Sequence, residues 1–202
     1  MKKITIIFSL LSIFLVGCNN TNTNETNNTV ITENTINNNA TRLSTERTIS
    51  KQEEEICTFS TKIEQNDPSR QKNIELACQK LTGTVVKVGE TFSFCDTLGP
   101  ATPEEGYEKA EIFDSEGNVI MEYGGGKCQI SSTLYNAILD VPEFAIIERY
   151  PHSNRVYYVE EGKDATVCYG SVDFKFRNDN NFDVKIVSTV SGDTLTVSLF
   201  KI

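Results

Sequence analysis

The sequence holds one histidine, His152, and nowhere places two cysteines in a CxxC pair. Without clustered imidazoles or paired thiols, a zinc site built on the familiar ligand spacings has no support, and a reaction that needs an imidazole has a single residue to draw on. Cationic residues are scarce as well: 19 Lys and Arg stand against 28 Asp and Glu, a formal net charge of -9. That balance argues against nucleic acid as a partner, because phosphate binding relies on cationic surface. It suits the solubility of an exposed domain. Beyond the first residues no stretch is apolar enough to span a bilayer.

What the chain does carry begins at its start. Met1-Lys2-Lys3 is a short positive segment, Ile4 to Val16 is almost entirely apolar apart from Ser9 and Ser12, and Leu15-Val16-Gly17-Cys18 follows. The apolar run is too short for a mature spanning helix and has the make-up of a signal peptide. The tetrapeptide resembles the bacterial lipobox, which implies acylation of Cys18 and cleavage before it. Each buried methylene of an acyl chain contributes about 0.8 kcal/mol, so a multiply acylated Cys18 would anchor the protein to the membrane without a spanning helix. Asn19 to Thr41 is dominated by Asn and Thr and has too few apolar side chains to offset the entropy of ordering. The expected organisation is a lipoprotein signal peptide at 1–17, lipidated Cys18 with a disordered tether over 18–50, and one folded domain over 51–202. The domain is expected on the extracytoplasmic face of the cell membrane.

Setting Cys18 aside leaves five of the 6 cysteines: Cys57, Cys78, Cys95, Cys128 and Cys168. In an oxidising exterior an odd number leaves at least one thiol free, paired with another chain or reactive. A disulfide among Cys57, Cys78, Cys95 and Cys168 stays open, since spacing assigns no pairs.

Ile74, Ala77, Cys78 and Leu81 fall at helical spacing and end at Thr82-Gly83, predicting a helix over 69–81. A strand is expected at Thr84 to Val88, and Thr91 to Phe94 alternates as a half-buried strand before Leu98-Gly99-Pro100 breaks regular structure. Glu111 to Phe113 and Val119 to Met121 flank a turn and predict a hairpin. Ile130, Leu134, Ala137 and Ile138 define the clearest helix, over 128–139, with Cys128 at its start. Val172, Phe174 and Phe176 alternate with charged residues, and Val184 to Ser188 and Leu195 to Leu199 repeat the pattern. The fold class is therefore α+β: a single domain with a few helices and a largely antiparallel, strand-rich C-terminal half.

The segment with the most chemical content is Tyr123 to Asn136, in which Gly124-Gly125-Gly126-Lys127 precedes Cys128. A thiol at a helix N-terminus lies near the positive end of the dipole and beside free N–H groups, and both favour the thiolate. Gly124, Gly125 and Gly126, with Gln129 and Ser131, are candidates for a substrate loop whose N–H groups receive an oxyanion. Arg149-Tyr150-Pro151-His152-Ser153 supplies the imidazole that would take and return a proton. Asp164, Asp173 and Glu148 are alternatives for orienting that ring. Arg149 or Arg155 is available to bind a substrate carboxylate, and Tyr169 is a further candidate for substrate contact.

Four segments, Glu90-Thr91-Phe92-Ser93-Phe94, Gly124 to Asn136, Arg149 to Ser153 and Lys163 to Gly170, resemble the VanW family in the family's order, within a match from about Phe59 to Lys201. The resemblance implies a cell-envelope protein with L,D-transpeptidase activity on peptidoglycan stem peptides, needing no cofactor or metal, in which Cys128 is the nucleophile. Two alternatives differ in class. One is a non-catalytic envelope-binding or glycopeptide-resistance accessory module, and the other is a cell-wall cysteine peptidase or amidase. A thiol-reactive probe separates a binding module from the enzymes, and the products separate transfer from hydrolysis.

Overall fold

A computed structural model of the chain describes residues 53–63 and 67–202. The expected signal peptide, Cys18 and most of the tether lie outside the described residues. In chain order the elements are β1 (Glu54–Lys62), α1 (Pro68–Leu81), β2 (Val85–Val86), β3 (Thr91–Ser93), α2 (Phe94–Leu98), β4 (Lys109–Phe113), β5 (Val119–Tyr123), α3 (Lys127–Ile138), β6 (Phe144–Glu148), β7 (Lys175–Asn178), β8 (Val184–Ser191) and β9 (Thr194–Lys201), with a 3-10 turn at Pro103–Glu105. All named strand pairs are antiparallel. The described residues thus form a mixed α+β domain.

The strongest alternation in the sequence builds the main sheet. Ile186, Leu195, Val197 and Leu199 send every second side chain inward and are fully buried, while their neighbours face out, as a one-sided antiparallel sheet requires. The sheet order is β1-β9-β8-β2. β1 was not anticipated from the sequence, because its charged and polar residues hide the pattern. Its register against β9, Glu54 opposite Lys201 through Lys62 opposite Thr194, supplies the partner that makes it a strand.

Two helices cover the apolar face of this sheet. Asp67 caps α1 by accepting from the Ser69 and Arg70 amides at 2.9 and 3.3 Å, and Pro68 fills the first helical position, where its missing N–H costs nothing. Ile74, Ala77 and Leu81 on α1 and Ile130, Leu134 and Ile138 on α3 are buried against the strands; apolar burial of this kind is the main drive for the fold. A second sheet, β3-β7-β6, packs through aromatic rings: Phe176 lies 5.1 Å from Phe92 and 5.4 Å from Phe144, and Phe174 lies 5.6 Å from Tyr135.

Several boundaries differ from the sequence expectation, each for a local reason. Phe94 starts α2 instead of continuing a strand, because the Ser93 hydroxyl accepts from the Asp96 amide at 3.0 Å and caps a helix there. The strand expected from Val172 begins only at Lys175, since the Asp173 carboxylate turns inward to accept from Ser93, Cys95 and Phe174. The expected strand at Thr84 shrinks to two residues, Val85 and Val86. β6 was also unanticipated.

The loop ahead of α3 is held from three sides. Asn73 of α1, fully buried, donates to the carbonyls of Glu108 at 2.9 Å and Gly125 at 3.1 Å and accepts from the Glu108 amide at 2.8 Å. A Cβ at Gly125 would stand 2.8 Å from the Ala110 Cβ and 3.0 Å from that residue's backbone, and one at Gly124 would stand 2.3 Å from the Ala101 Cβ. The glycines are therefore needed for close approach. Gly125→Ala should lower stability by about 1–3 kcal/mol through overpacking, read as a fall in the thermal midpoint; an unchanged midpoint would show that the hairpin yields freely.

Candidate active site

α3 delivers Cys128 on its first turn, where Gly126, with φ at +114°, redirects the chain and no side chain caps the helix start. The thiol is half-buried. Around its Sγ stand the Val167 amide at 3.5 Å, which donates to it, the Val167 carbonyl at 3.4 Å and the Thr166 hydroxyl at 3.7 Å. These come from the segment that pairs Tyr150 with Thr166, so the motif around Val167 reaches the motif around Cys128 across the fold.

The imidazole of His152 completes the group. Its Nδ1 lies 2.7 Å from Asp164 Oδ2, and its own backbone amide donates to the same oxygen at 2.6 Å. Two contacts on one carboxylate oxygen fix both the ring and the backbone beneath it. With Nδ1 committed to the carboxylate, the ring's other nitrogen is left for the thiol and for the Tyr158 hydroxyl, 3.4 Å away. Asp164 is itself braced by Arg149, whose Nη2 donates to Asp164 Oδ1 at 2.9 Å and to the Gly162 carbonyl at 2.8 Å. The guanidinium lies over the Tyr135 ring, 5.3 Å from its centre.

The electrostatics follow the geometry. Burial pushes the Cys128 thiol up, but the hydrogen bond and charge of His152, with the Val167 amide and the Thr166 hydroxyl, outweigh it and bring the thiol below the usual 9.0. Burial likewise pushes the imidazole down, and the Cys128 sulfur and Asp164 carboxylate reverse this, holding it above the usual 6.5. Burial raises Asp164, but hydrogen bonds from the His152 backbone and ring hold it below the usual carboxylate value. Three other thiols behave oppositely: desolvation first, then neighbouring carboxylates, push Cys57 and Cys78 up to about 11 and Cys95 up to about 12. A thiolate beside an imidazolium is the nucleophilic form of cysteine, and Cys128 is the thiol whose surroundings favour it.

Cys128 and His152 line a cavity of about 490 Å³, together with Arg70, Gln129, Tyr158 and Tyr169. Its volume is that of a small-molecule or short-peptide site. The family model described as "VanW like protein" matches residues 69–200, a span that includes every group just named. The chain belongs to the VanW family. Over 147 residues it is 36% identical to "Uncharacterized protein YoaR" of Bacillus subtilis (strain 168), covering 73% of this chain and 48% of that protein. Over 144 residues it is 33% identical to "Vancomycin B-type resistance protein VanW" of Enterococcus faecalis (strain ATCC 700802 / V583), covering 64% of this chain and 52% of that protein. It therefore spans about half the length of these curated relatives. No solved structure matches it.

Within this VanW domain the residues singled out from sequence divide clearly. Gly124, Gly126, Cys128, Gln129, His152 and Tyr169 line the cavity. Gly125 and Ser131 do not: Gly125 packs on Ala110, and the buried Ser131 hydroxyl donates to the Ala165 carbonyl at 2.5 Å and the Cys128 carbonyl at 3.1 Å. Of the three acids offered as orienting groups, Asp164 is the one that meets His152. Asp173 instead anchors α2, and Glu148 pairs with Lys175 at 2.8 Å. Arg149 is bound to Asp164 and so positions the carboxylate rather than waiting for a ligand. Cys57, Cys78, Cys95, Cys128 and Cys168 are all free thiols, and Cys95 and Cys168 lie at the same cavity.

Sequence reasoning gave no role to Arg70, Tyr158 or Thr166. For Arg70 a signal existed: it precedes Ile74, Ala77 and Leu81 at helical spacing, so the periodicity that buries them also turns Arg70 inward. Tyr158 lies in an irregular loop and gave no comparable clue.

Proposed function

We propose that this VanW protein is an L,D-transpeptidase of the cell envelope, held to the outer face of the cell membrane through lipidated Cys18 and acting on peptidoglycan stem peptides. The observation that carries this reading is the acidified Cys128 thiol beside an imidazole oriented by Asp164 at the wall of a peptide-sized cavity. The donor is a stem tetrapeptide. The Cys128 thiolate attacks the carbonyl of its third residue, a diamino acid, forming the C–S bond. The C–N bond to the terminal D-alanine then breaks, and His152 gives its proton to the departing amine. An acceptor's side-chain amine attacks the thioester and passes its proton to His152. The new C–N bond joins two third residues, and the thiolate is released.

The first turn of α3 and the loop before it would receive the oxyanion, since uncapped N–H groups at a helix start favour negative charge. Incubation of the protein with purified stem tetrapeptides, followed by mass spectrometry, tests the proposal. Cross-linked dimers with release of D-alanine are expected. Trimmed monomers alone would mean that water resolves the acyl-enzyme and the protein is a peptidase, and intact peptides would leave the non-catalytic accessory module.

A further inference from the structure

Arg70 occupies an unusual position for a charged side chain. It is buried, with 6% of its surface exposed, in the first turn of α1, yet it lines the cavity of Cys128. Among the described residues no carboxylate lies within ion-pair distance of it. Its Nη2 donates at 3.0 Å to the Gln129 side-chain oxygen, a neutral acceptor, and its Nε has no partner. A buried guanidinium without a counter-charge is costly, and burying a polar N–H without an acceptor adds to that. A fold retains such a group where a ligand supplies the missing charge.

The surrounding residues hold Arg70 in place for that purpose. Gln129 is fully buried, and its amide nitrogen donates to the Lys62 carbonyl at 3.0 Å and the Thr61 hydroxyl at 3.2 Å. This fixes the carboxamide so that its oxygen faces the guanidinium. Gln129 follows Cys128 directly on α3, so one turn of helix sets both the nucleophile and the residue that orients Arg70. The guanidinium's charge also bears on the Tyr158 hydroxyl, which stands 3.4 Å from His152 Nε2. Arg70, Tyr158 and His152 line the same cavity. Lys127 adds a second buried cation along the wall, its Nζ donating to the Gly99 carbonyl at 2.8 Å with no carboxylate paired to it among the described residues. The carboxylates that line the cavity, Glu111 and Glu122, are exposed on the β4–β5 hairpin. The buried wall is thus cationic and the outer edge acidic.

We propose that Arg70 is a specificity-determining residue that binds the free carboxylate of the peptide's terminal residue, the one whose amine is expelled from the carbonyl that Cys128 attacks. This rests on the stem-peptide reading of the cavity and names the group by which that peptide is recognised. A planar guanidinium meets a carboxylate through two parallel N–H···O bonds, which an amide terminus cannot reproduce. Substrates ending in a carboxylate one residue past the attacked carbonyl would be selected, and amidated ends rejected.

The test uses the full-length protein carrying Cys128→Ala, so that peptide is bound and not consumed. Calorimetric titration would compare a stem tetrapeptide ending in D-alanine with the same peptide amidated at that end. The acid should bind about tenfold or more tightly than the amide. Adding Arg70→Met, which keeps the length of the stem, should remove that preference, and Arg70→Lys, which keeps the charge without the fork, should restore part of it. Equal affinity for the two peptides, or no binding of either, would overturn the proposal, as would a preference that survives Arg70→Met. Folding of each variant is checked by its thermal midpoint; if Arg70→Met does not fold, the acid-to-amide ratio of Arg70→Lys decides, and an unchanged ratio overturns it. Acid preference through Arg70 without any cross-linked product from the unaltered protein would reject the transferase alone, whereas product formation with no acid preference would reject only the role of Arg70.

Discussion

Cys128→Ala should lower formation of cross-linked product by about 10³-fold or more while leaving the domain folded, because a residue that forms the covalent intermediate cannot be replaced by its neighbours. Cys128→Ser should do nearly the same: a hydroxyl in the same place ionises far less readily than a thiol already held below 9.0. The fold should tolerate both changes. Beyond His152, Sγ makes only long contacts, 3.4 to 3.7 Å, to the Val167 backbone and Thr166 hydroxyl, whereas α3 is fixed by the buried Ile130, Leu134 and Ile138. Intact-mass analysis after brief exposure to a stem tetrapeptide would show the thioester on the unaltered protein and none on Cys128→Ala. Undiminished product from Cys128→Ala would remove Cys128 from the chemistry.

Asp164→Asn should have an effect of similar scale, about 10³- to 10⁴-fold in turnover, judging by what the loss of an orienting carboxylate costs in hydrolytic triads. The carboxylate accepts from the His152 ring, the His152 backbone and Arg149, and an asparagine keeps the shape while losing the charge. It also presents N–H groups where Nδ1 needs an acceptor, which favours the wrong tautomer. The consequence reaches the sulfur, since the imidazolium that acidifies Cys128 is no longer supported. Alkylation of Cys128 by iodoacetamide, followed against pH, should show an inflection below 9.0 in the unaltered protein and a higher one in Asp164→Asn. An unmoved inflection would mean that Asp164 does not act through His152.

The same shifts set the pH dependence of stability. Asp164 is held below 3.8 in the folded state, so its contribution is full above that value and is lost as pH falls through the depressed folded value. His152 is held above 6.5, so its contribution is full below 6.5 and fades as pH rises through the elevated folded value. For Cys128, held below 9.0, the contribution is full above 9.0 and is lost as pH falls through the lowered folded value.

By itself the sequence determined whatever depends on neighbours along the chain. The spacing of Ile74, Ala77 and Leu81 encodes α1, and that of Ile130, Leu134 and Ile138 encodes α3. The turn between Phe113 and Val119 encodes the β4–β5 hairpin, and the glycines before Cys128 place that thiol at a helix start. It also narrowed the imidazole to His152, there being no other. The tertiary structure alone decided what depends on distant pairing. It chose Asp164 over Asp173 and Glu148, bound Arg149 to that carboxylate, turned Ser131 away from the cavity and brought Arg70 to it from 58 residues upstream of Cys128. The physical reason is that helical and strand periodicity records which face of an element is apolar, whereas a charge's partner is set by where the chain folds back. The order of acids and arginines along the chain carries no trace of that meeting.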